Sequence, residues 1–167
     1  MRVHFFLWLL LGCFWGATAQ VRLDGYQQAH VDSSLLFKQW NAKWISVPGI
    51  KDNTFAVAHF RKSISLASKP EHFFVHVSAD NRYKLFVNGH IASLGPARGD
   101  LRNWNFETVD LAPFLKTGKN VLAAVVWNFA EQRPAAQISM GNLEFLMSGA
   151  TEAEAMVNTD DSWLCIQ

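Results

Sequence analysis

The stretch Ser78–Gly89, which reads SADNRYKLFVNG, decides the fold of this chain. Apolar and polar residues alternate from Arg82 to Val87, which predicts a strand with one buried face. Asn88-Gly89 then predicts a tight hairpin, because both central residues of a type I′ turn need positive φ. His90–Leu94 is therefore expected to be the returning strand, and Asp80-Asn81 is expected to lie where the first strand begins.

The same short strands recur along the rest of the chain. Further strands are predicted at residues 44–47, 59–66, 73–77, 104–109, 121–127, 137–147 and 162–166. Val121–Trp127 is apolar without alternation, which is typical of a central strand buried on both faces, and Trp127 is expected in the core. Asp110–Leu115 predicts a capped turn of helix that ends at Gly118. Roughly nine short strands and no long helical pattern predict an all-β fold, a jelly-roll β-sandwich.

The N-terminus has the pattern of a secretory signal peptide over residues 1–19. A short basic start is followed by the apolar run Phe5–Trp15 and by Ala17-Thr18-Ala19, a small-x-small cleavage signal. The run is too short and wrongly flanked for a membrane span. The alternative is a lipoprotein box, Leu10–Cys13, with a lipid anchor at Cys13. Either way the sequence predicts a secreted, periplasmic or cell-surface protein.

Residues 20–40 are polar and weakly patterned, and are interpreted as a leader or linker before a sandwich domain at 41–167. The formal net charge is only +1 and no dense Lys/Arg run occurs, which argues against nucleic acid as a partner. Removal of residues 1–19 would leave Cys165 as the single cysteine, so no internal disulfide is expected. The fold must then be held by its hydrophobic core.

Three stretches resemble the N-terminal β-sandwich module of secreted bacterial α-L-rhamnosidases. They are SADNRYKLFVNG at 78–89, GPARGDLRNWNFETVDLAPFL at 95–115 and GKNVLAAVVWN at 118–128. The resemblance covers about Ala42 to Cys165 and implies a galactose-binding-like jelly roll. In that family the catalytic residues lie in a separate (α/α) barrel further along the chain. The resemblance thus implies a non-catalytic module, truncated before the catalytic domain of a glycoside hydrolase.

Strand alternation brings several polar loop residues to one end of the predicted sandwich. If consecutive strands run up and down, Asp80 and Asn81 lie at the end opposite the Asn88-Gly89 turn. The loop 95–103, with Trp104 at its exit, returns to that end. The strand 121–127 delivers Asn128 and the following loop 129–134 to the same place. We therefore expect these residues to converge.

The residue types in this set suit calcium and a sugar. Ca²⁺ takes six to eight oxygen ligands from carboxylates, amides, carbonyls and water. The resemblance implies that these ligands are Asp80, Asn81, Asn128 and the carbonyl of Pro134, with terminal L-rhamnose bound through its cis 2,3-diol. Trp104 would cover the apolar side of the ring, and Arg98 would reach a sugar hydroxyl or a carboxylate of the neighbouring catalytic domain.

Less specific interpretations stay open beside this one. Asp80-Asn81 is also ordinary turn chemistry, and Asn128 can simply end a strand. The sandwich can then be a structural accessory that packs on the downstream barrel and shapes its active site. Glu107 and Asp110 are the nearest carboxyl pair for hydrolysis, yet they sit in a pattern shared by non-catalytic sandwiches. Zinc is not expected at His72 and His76, which share a strand face but are predicted to lack an acidic or third ligand nearby.

Overall fold

The computed structural model describes residues 39–167. The predicted signal peptide, the lipid anchor at Cys13 and nearly all of the leader lie outside these residues. Eight strands form: β1 Ala56–Leu66, β2 Phe74–Asp80, β3 Arg82–Val87, β4 His90–Gly95, β5 Glu107–Asp110, β6 Gly118–Asn128, β7 Glu144–Gly149 and β8 Leu164–Ile166. None of the helical turns within residues 39–167 has the length and apolar character needed to span a bilayer.

The strands make two antiparallel sheets packed face to face. One has five strands in the order β4-β3-β6-β1-β8, and the other has three in the order β5-β2-β7. The core lies between them: Tyr83, Leu85 and Val87 of β3 have no exposed surface. Phe60 and Phe145 stack across the two sheets with ring centroids 5.5 Å apart. Burial of such side chains stabilises the fold by about 1.5–3 kcal/mol each, and the all-β sandwich is confirmed.

The hairpin between β3 and β4 forms as predicted. Asn88 has φ 51° and Gly89 has φ 86°, the positive values that a type I′ turn requires. The Asn88 side chain also reaches beyond its own turn. Its Oδ1 accepts a hydrogen bond from the backbone N–H of Val121 at 3.0 Å, and its Nδ2 donates to Asn120 Oδ1 at 2.8 Å.

Asn120 completes a buried amide cluster at this end of the sandwich. It has no exposed surface. Its Oδ1 accepts from the Lys116 N–H at 2.9 Å, and its Nδ2 donates to the carbonyls of Lys116 and Gly118 at 2.7 and 2.9 Å. We call Asn88 and Asn120 the hairpin-end cluster. Their side chains supply hydrogen-bond partners to backbone groups of the turn that leads into β6.

Four predicted strands are shorter in the structure, and one of them, predicted at 162–166, begins at Leu164. Of residues 44–47, only Ile45 pairs, in an isolated bridge to Phe145. The strand predicted at 104–109 begins at Glu107, because Ser78 Oγ accepts from the Trp104 indole and donates to the Asn105 carbonyl. The strand predicted at 137–147 begins at Glu144.

Burial of β6 also differs from the prediction. The strand is central, between β3 and β1, yet fully buried and half-buried residues alternate along it. Only one face of the five-stranded sheet is covered by the second sheet, so apolar residues on the other face remain partly exposed. Trp127 lies on that outer face, half-buried, and its predicted place in the core is wrong.

Thr159 joins the first and last parts of the described chain. The Lys43 N–H donates to the Thr159 carbonyl at 2.9 Å, and Thr159 Oγ1 donates to the Lys43 carbonyl at 2.6 Å. The Thr159 N–H donates to the Met147 carbonyl of β7 at 2.9 Å. Thr159 has no exposed surface. We call these contacts between Lys43, Thr159 and Met147 the Thr159 seam, which is an internal part of the domain.

Candidate functional site

Asp80, Asn81 and Asn128 meet at the end of the sandwich opposite the hairpin, as strand alternation predicts. Asp80 ends β2, and a cis peptide bond joins it to Asn81. The Asn81 N–H donates to the Trp127 carbonyl at 3.1 Å, and Asn81 Oδ1 accepts from the Phe129 N–H at 2.8 Å. Asn81 therefore bonds to both sequence neighbours of Asn128.

The Asp80 carboxylate lies at the centre of this group. It has no exposed surface. Its Oδ2 accepts from the Met140 N–H at 2.6 Å, and its Oδ1 accepts from Asn81 Nδ2. Burial raises the pKa of Asp80, while hydrogen bonds from Ser139, Met140 and Asn81 and the charge of Arg133 act in the opposite direction. Burial outweighs these contacts, so the pKa of the Asp80 carboxyl group lies above its ordinary value.

Asn128 ties two loops together. Its Oδ1 accepts from the Ala130 N–H at 2.7 Å, and its Nδ2 donates to the Asn142 carbonyl at 2.7 Å and to Ser139 Oγ at 3.3 Å. We call Asp80, Asn81, Asn128 and Ser139 the loop-end cluster. It links the start of β3, the end of β6 and the segment before β7.

A second carboxyl group stands beside this cluster, and sequence reasoning missed it. Glu144 is the cross-strand partner of Asp80 in the β2–β7 pair. Burial raises the pKa of Glu144, and the charge of Asp80 adds to the increase. No local sequence signal could have identified Glu144, because β2 and β7 are far apart in the chain and pair only in the folded sheet.

The cluster has the donor chemistry that calcium prefers. The side-chain oxygens of Asp80, Asn81 and Asn128 each accept one N–H. Asp80 also accepts a hydrogen bond from Ser139, whereas the amide oxygens of Asn81 and Asn128 each keep a second lone pair. The carbonyl of Pro134, in the loop after Asn128, accepts from the Gln137 N–H at 2.8 Å. Within residues 39–167 no group of three or more His, Cys, Asp and Glu side chains could hold a metal, so an ion here would depend on amide and carbonyl oxygens.

Arg98 and Trp104 lie next to Asn81. A small cavity of about 10 Å³ is lined by Asn81, by the 96–99 loop that includes Arg98, and by Trp104. Glu107 Oε1 accepts from the Ala97 N–H at 2.7 Å and so holds this loop in place. The structure therefore brings Arg98 and Trp104 to the same end as Asn81, and gives Glu107 a structural contact.

Trp104 also lines a larger groove, of about 470 Å³, on the outer side of the three-stranded sheet. Trp44 lies across it, with its ring centroid 6.4 Å from that of Trp104 in an edge-on arrangement. Trp40, assigned to the leader by the sequence, packs edge-on against Phe106 at 4.9 Å. We call this the tryptophan groove. The sequence placed only Trp104 of these three indoles at a candidate site, because Trp40 fell in the predicted leader and Trp44 in a predicted strand.

The His72 environment corrects one sequence interpretation. His72 Nδ1 lies 2.8 Å from Asp110 Oδ2, so an acidic partner does stand near it. Asp110 Oδ1 also accepts from the Phe73 and Ala112 N–H groups. Burial acts to raise the pKa of Asp110, but these hydrogen bonds lower it overall. The 3₁₀ turn Ala112–Phe114 after β5 has Leu111 at its N-cap and no side-chain cap, and Asp110 has a structural role in joining Phe73 and Ala112.

Comparison with known proteins gives no match to a family model and none to a curated protein. Among solved structures, the GH78 family rhamnosidase of Bacillus sp. GL1 aligns with a TM-score of 0.64 and 26% identity over 77% of this chain and 14% of that one. The α-L-rhamnosidase from Dictyoglumus thermophilum aligns with a TM-score of 0.58 and 19% identity over 77% of this chain and 17% of that one. A lectin from Pleurotus ostreatus, solved with GalNAc, aligns with a TM-score of 0.52 and 18% identity over 75% and 36%.

The chain therefore spans only a small part of the rhamnosidases that it matches. These neighbours are consistent with the resemblance to an N-terminal rhamnosidase module. The two likenesses at 19% and 18% identity show the fold alone. Taken together, the fold and the comparisons suggest the class of carbohydrate-binding or accessory β-sandwich modules.

Proposed function

We propose that this domain is a non-catalytic sugar-binding module of a secreted, α-L-rhamnosidase-like glycoside hydrolase, and that it binds terminal L-rhamnose through Ca²⁺. The observation that carries the proposal is the meeting of Asp80, Asn81 and Asn128 at one end, with Arg98 and Trp104 beside them. The likeness to a GH78 rhamnosidase supports the sugar and the parent enzyme.

In this proposal, Asp80, Asn81, Asn128 and the Pro134 carbonyl hold the ion. A bound Ca²⁺ supplies positive charge that binds two vicinal hydroxyls of the sugar. Trp104 offers an apolar surface to the ring and its methyl group, and its indole N–H is already satisfied by Ser78 Oγ at 3.1 Å. The module would raise the local concentration of substrate for a catalytic domain of the same protein.

Isothermal titration with L-rhamnose tests the proposal. We expect binding in the presence of Ca²⁺ with a Kd of about 1 mM, or about −4 kcal/mol, because a single-sugar site buries little area. EDTA should abolish the heat and added Ca²⁺ should restore it. Asn81→Ala should remove binding, whereas Asn103→Ala, at an exposed position of the neighbouring loop, should leave it unchanged. No heat with or without Ca²⁺ would exclude the sugar-binding function.

A structural accessory role is the second candidate, and a specific observation favours it. Every side-chain oxygen of Asp80, Asn81 and Asn128 already accepts an N–H, mostly from the backbone of the adjoining loops. Those contacts explain the residues as loop ties without a ligand. If this candidate is right, Ca²⁺ will leave the melting temperature unchanged, L-rhamnose will not bind, and the domain will stabilise a downstream catalytic barrel when the two are joined.

A further inference from the structure

The outer face of the five-stranded sheet, away from both the loop-end cluster and the tryptophan groove, combines cationic and apolar side chains in register. Arg82, Trp127 and Val57 are aligned across β3, β6 and β1. In the next row, Lys84 pairs with Val125. Because side chains two residues apart on a strand share a face, Arg82 and Lys84 lie about 7 Å apart on the same surface.

The following rows continue the pattern. Phe86 is aligned with Ala123 and Arg61, two strands away at a lateral distance of about 10 Å. Beyond them, Lys119 is opposite Ser65. Arg61 and Lys119 are exposed, and Phe86 is half-buried. At both sheet edges this face ends in exposed apolar side chains, among them Ile91 at 52% and Ile166 at 67% exposure.

No Asp or Glu occupies an outward-facing strand position on this sheet. The formal net charge of the whole chain is only +1, so the positive character belongs to this face and not to the molecule at large. A surface of this kind complements a ligand that carries regularly placed negative charges and apolar patches.

We propose that this face binds an acidic polysaccharide, a chain whose sugar units carry carboxylate or sulfate groups. Arg61, Arg82 and Lys84 would pair with the anionic groups, while Trp127 and Phe86 would contact the C–H faces of the sugar rings. The inference rests on the proposed function only in taking the ligand to be a glycan. The face and the rhamnose site use different residues, so each can fail without the other.

Affinity electrophoresis of the full chain tests the proposal, with gels that contain polygalacturonate, dextran sulfate or neutral dextran. We expect retardation by polygalacturonate, by dextran sulfate or by both, and none by dextran; the two anionic gels distinguish carboxylate from sulfate recognition. Sodium chloride at about 0.5 M should abolish retardation, because exposed ion pairs are screened. The triple variant Arg61→Gln/Arg82→Gln/Lys84→Gln should weaken binding at least about tenfold.

A matched variant controls for net charge. Lys51, Lys69 and Lys116 are exposed cations outside this face, and Lys51→Gln/Lys69→Gln/Lys116→Gln should change binding less than about twofold. Both variants should keep the wild-type melting temperature and the wild-type response to L-rhamnose. Equal losses in the two variants, retardation by neutral dextran, or no retardation by either anionic polysaccharide would each overturn the proposal.

Discussion

Two asparagines at each end of the sandwich tie loops to strands, but only the loop-end cluster includes a carboxylate, that of Asp80. At the hairpin end, Asn88 and Asn120 bond to backbone groups and to each other. At the loop end, Asn81 and Asn128 bond to backbone groups in the same way. There, however, Asp80 lies fully buried beside them, with Glu144 opposite on β7.

The hairpin end shows that buried amides alone need no ligand to explain them. They satisfy backbone donors and acceptors that the turns leave unpaired. The amides of the loop end also satisfy backbone groups, but two carboxyl groups stand beside them. Burial disfavours their charged form, which is an electrostatic cost, and raises the pKa of both Asp80 and Glu144. A cost of this kind is typical of functional sites, and it is the physical reason for placing the candidate site at the loop end.

The largest expected effect is a loss of stability at the hairpin-end cluster, which needs no ligand to explain it. Asn120→Ala should lower the free energy of unfolding by about 2–4 kcal/mol, because it removes the side-chain partners of the Lys116 N–H and of the Lys116 and Gly118 carbonyls. L-Rhamnose binding should be retained. Asn128→Ala should destabilise the domain similarly and also remove sugar binding. Urea denaturation and titration calorimetry measure the two effects.

Asn41→Ala, at an exposed position, serves as the control for both variants and should change stability by less than about 0.5 kcal/mol. If Asn120→Ala alters rhamnose binding as much as Asn128→Ala does, the functional distinction between the two ends is wrong.

The next effect concerns pH. Because the pKa of Asp80 is raised above its ordinary 3.8 in the folded state, the native state binds more protons than the unfolded state between the two values. Stability should therefore fall as pH rises through this window and stay level above it. Asp80→Asn should reduce the fall, leaving the share of Glu144. At low pH, where both side chains are neutral, the substitution should cost about 1 kcal/mol.

Asp100 provides the opposite control. Hydrogen bonds from Asn103 and from the Arg102 N–H lower its pKa, so its contribution is present above 3.8 and is lost as pH falls. Asp100→Asn should therefore change the pH profile in the reverse sense. Thermal melts from pH 3 to pH 8 would show whether the two variants differ in sign, and profiles that shift in the same direction would contradict the assignment.

The smallest effect is expected at Ser139, which accepts from the Gly141 N–H at 3.0 Å and helps to lower the pKa of Asp80. Ser139→Ala should cost about 0.5–1.5 kcal/mol. It should also raise the pKa of Asp80 further and extend the fall in stability to higher pH. Ser63→Ala, at an exposed position on β1, should do neither, and denaturation series at several pH values would reveal any exception.

The sequence predicted the parts of this fold that are local. Alternation places Tyr83, Leu85 and Val87 on one face, and Asn88-Gly89 fixes the turn, because strand period and turn geometry depend only on neighbouring residues. The true start of β5 could not be predicted, because it depends on Ser78, a residue of another strand.

The candidate site divides in the same way. The meeting of Asp80, Asn81 and Asn128 follows from strand direction, which a sequence can supply. Glu144 and the tryptophan groove could not be predicted, because they depend on which strands pair and on how residues 40–44 cross the sheet. The roles of all these residues toward calcium and sugar remain predictions that the titrations above will test.

The Thr159 seam has a practical consequence. Since Lys43 and Thr159 exchange two hydrogen bonds, the segment that precedes β1 is held in place by a residue that lies between β7 and β8. A truncation that removes Thr159 would therefore release this segment, and with it the side chains of Trp40 and Trp44 that line the tryptophan groove.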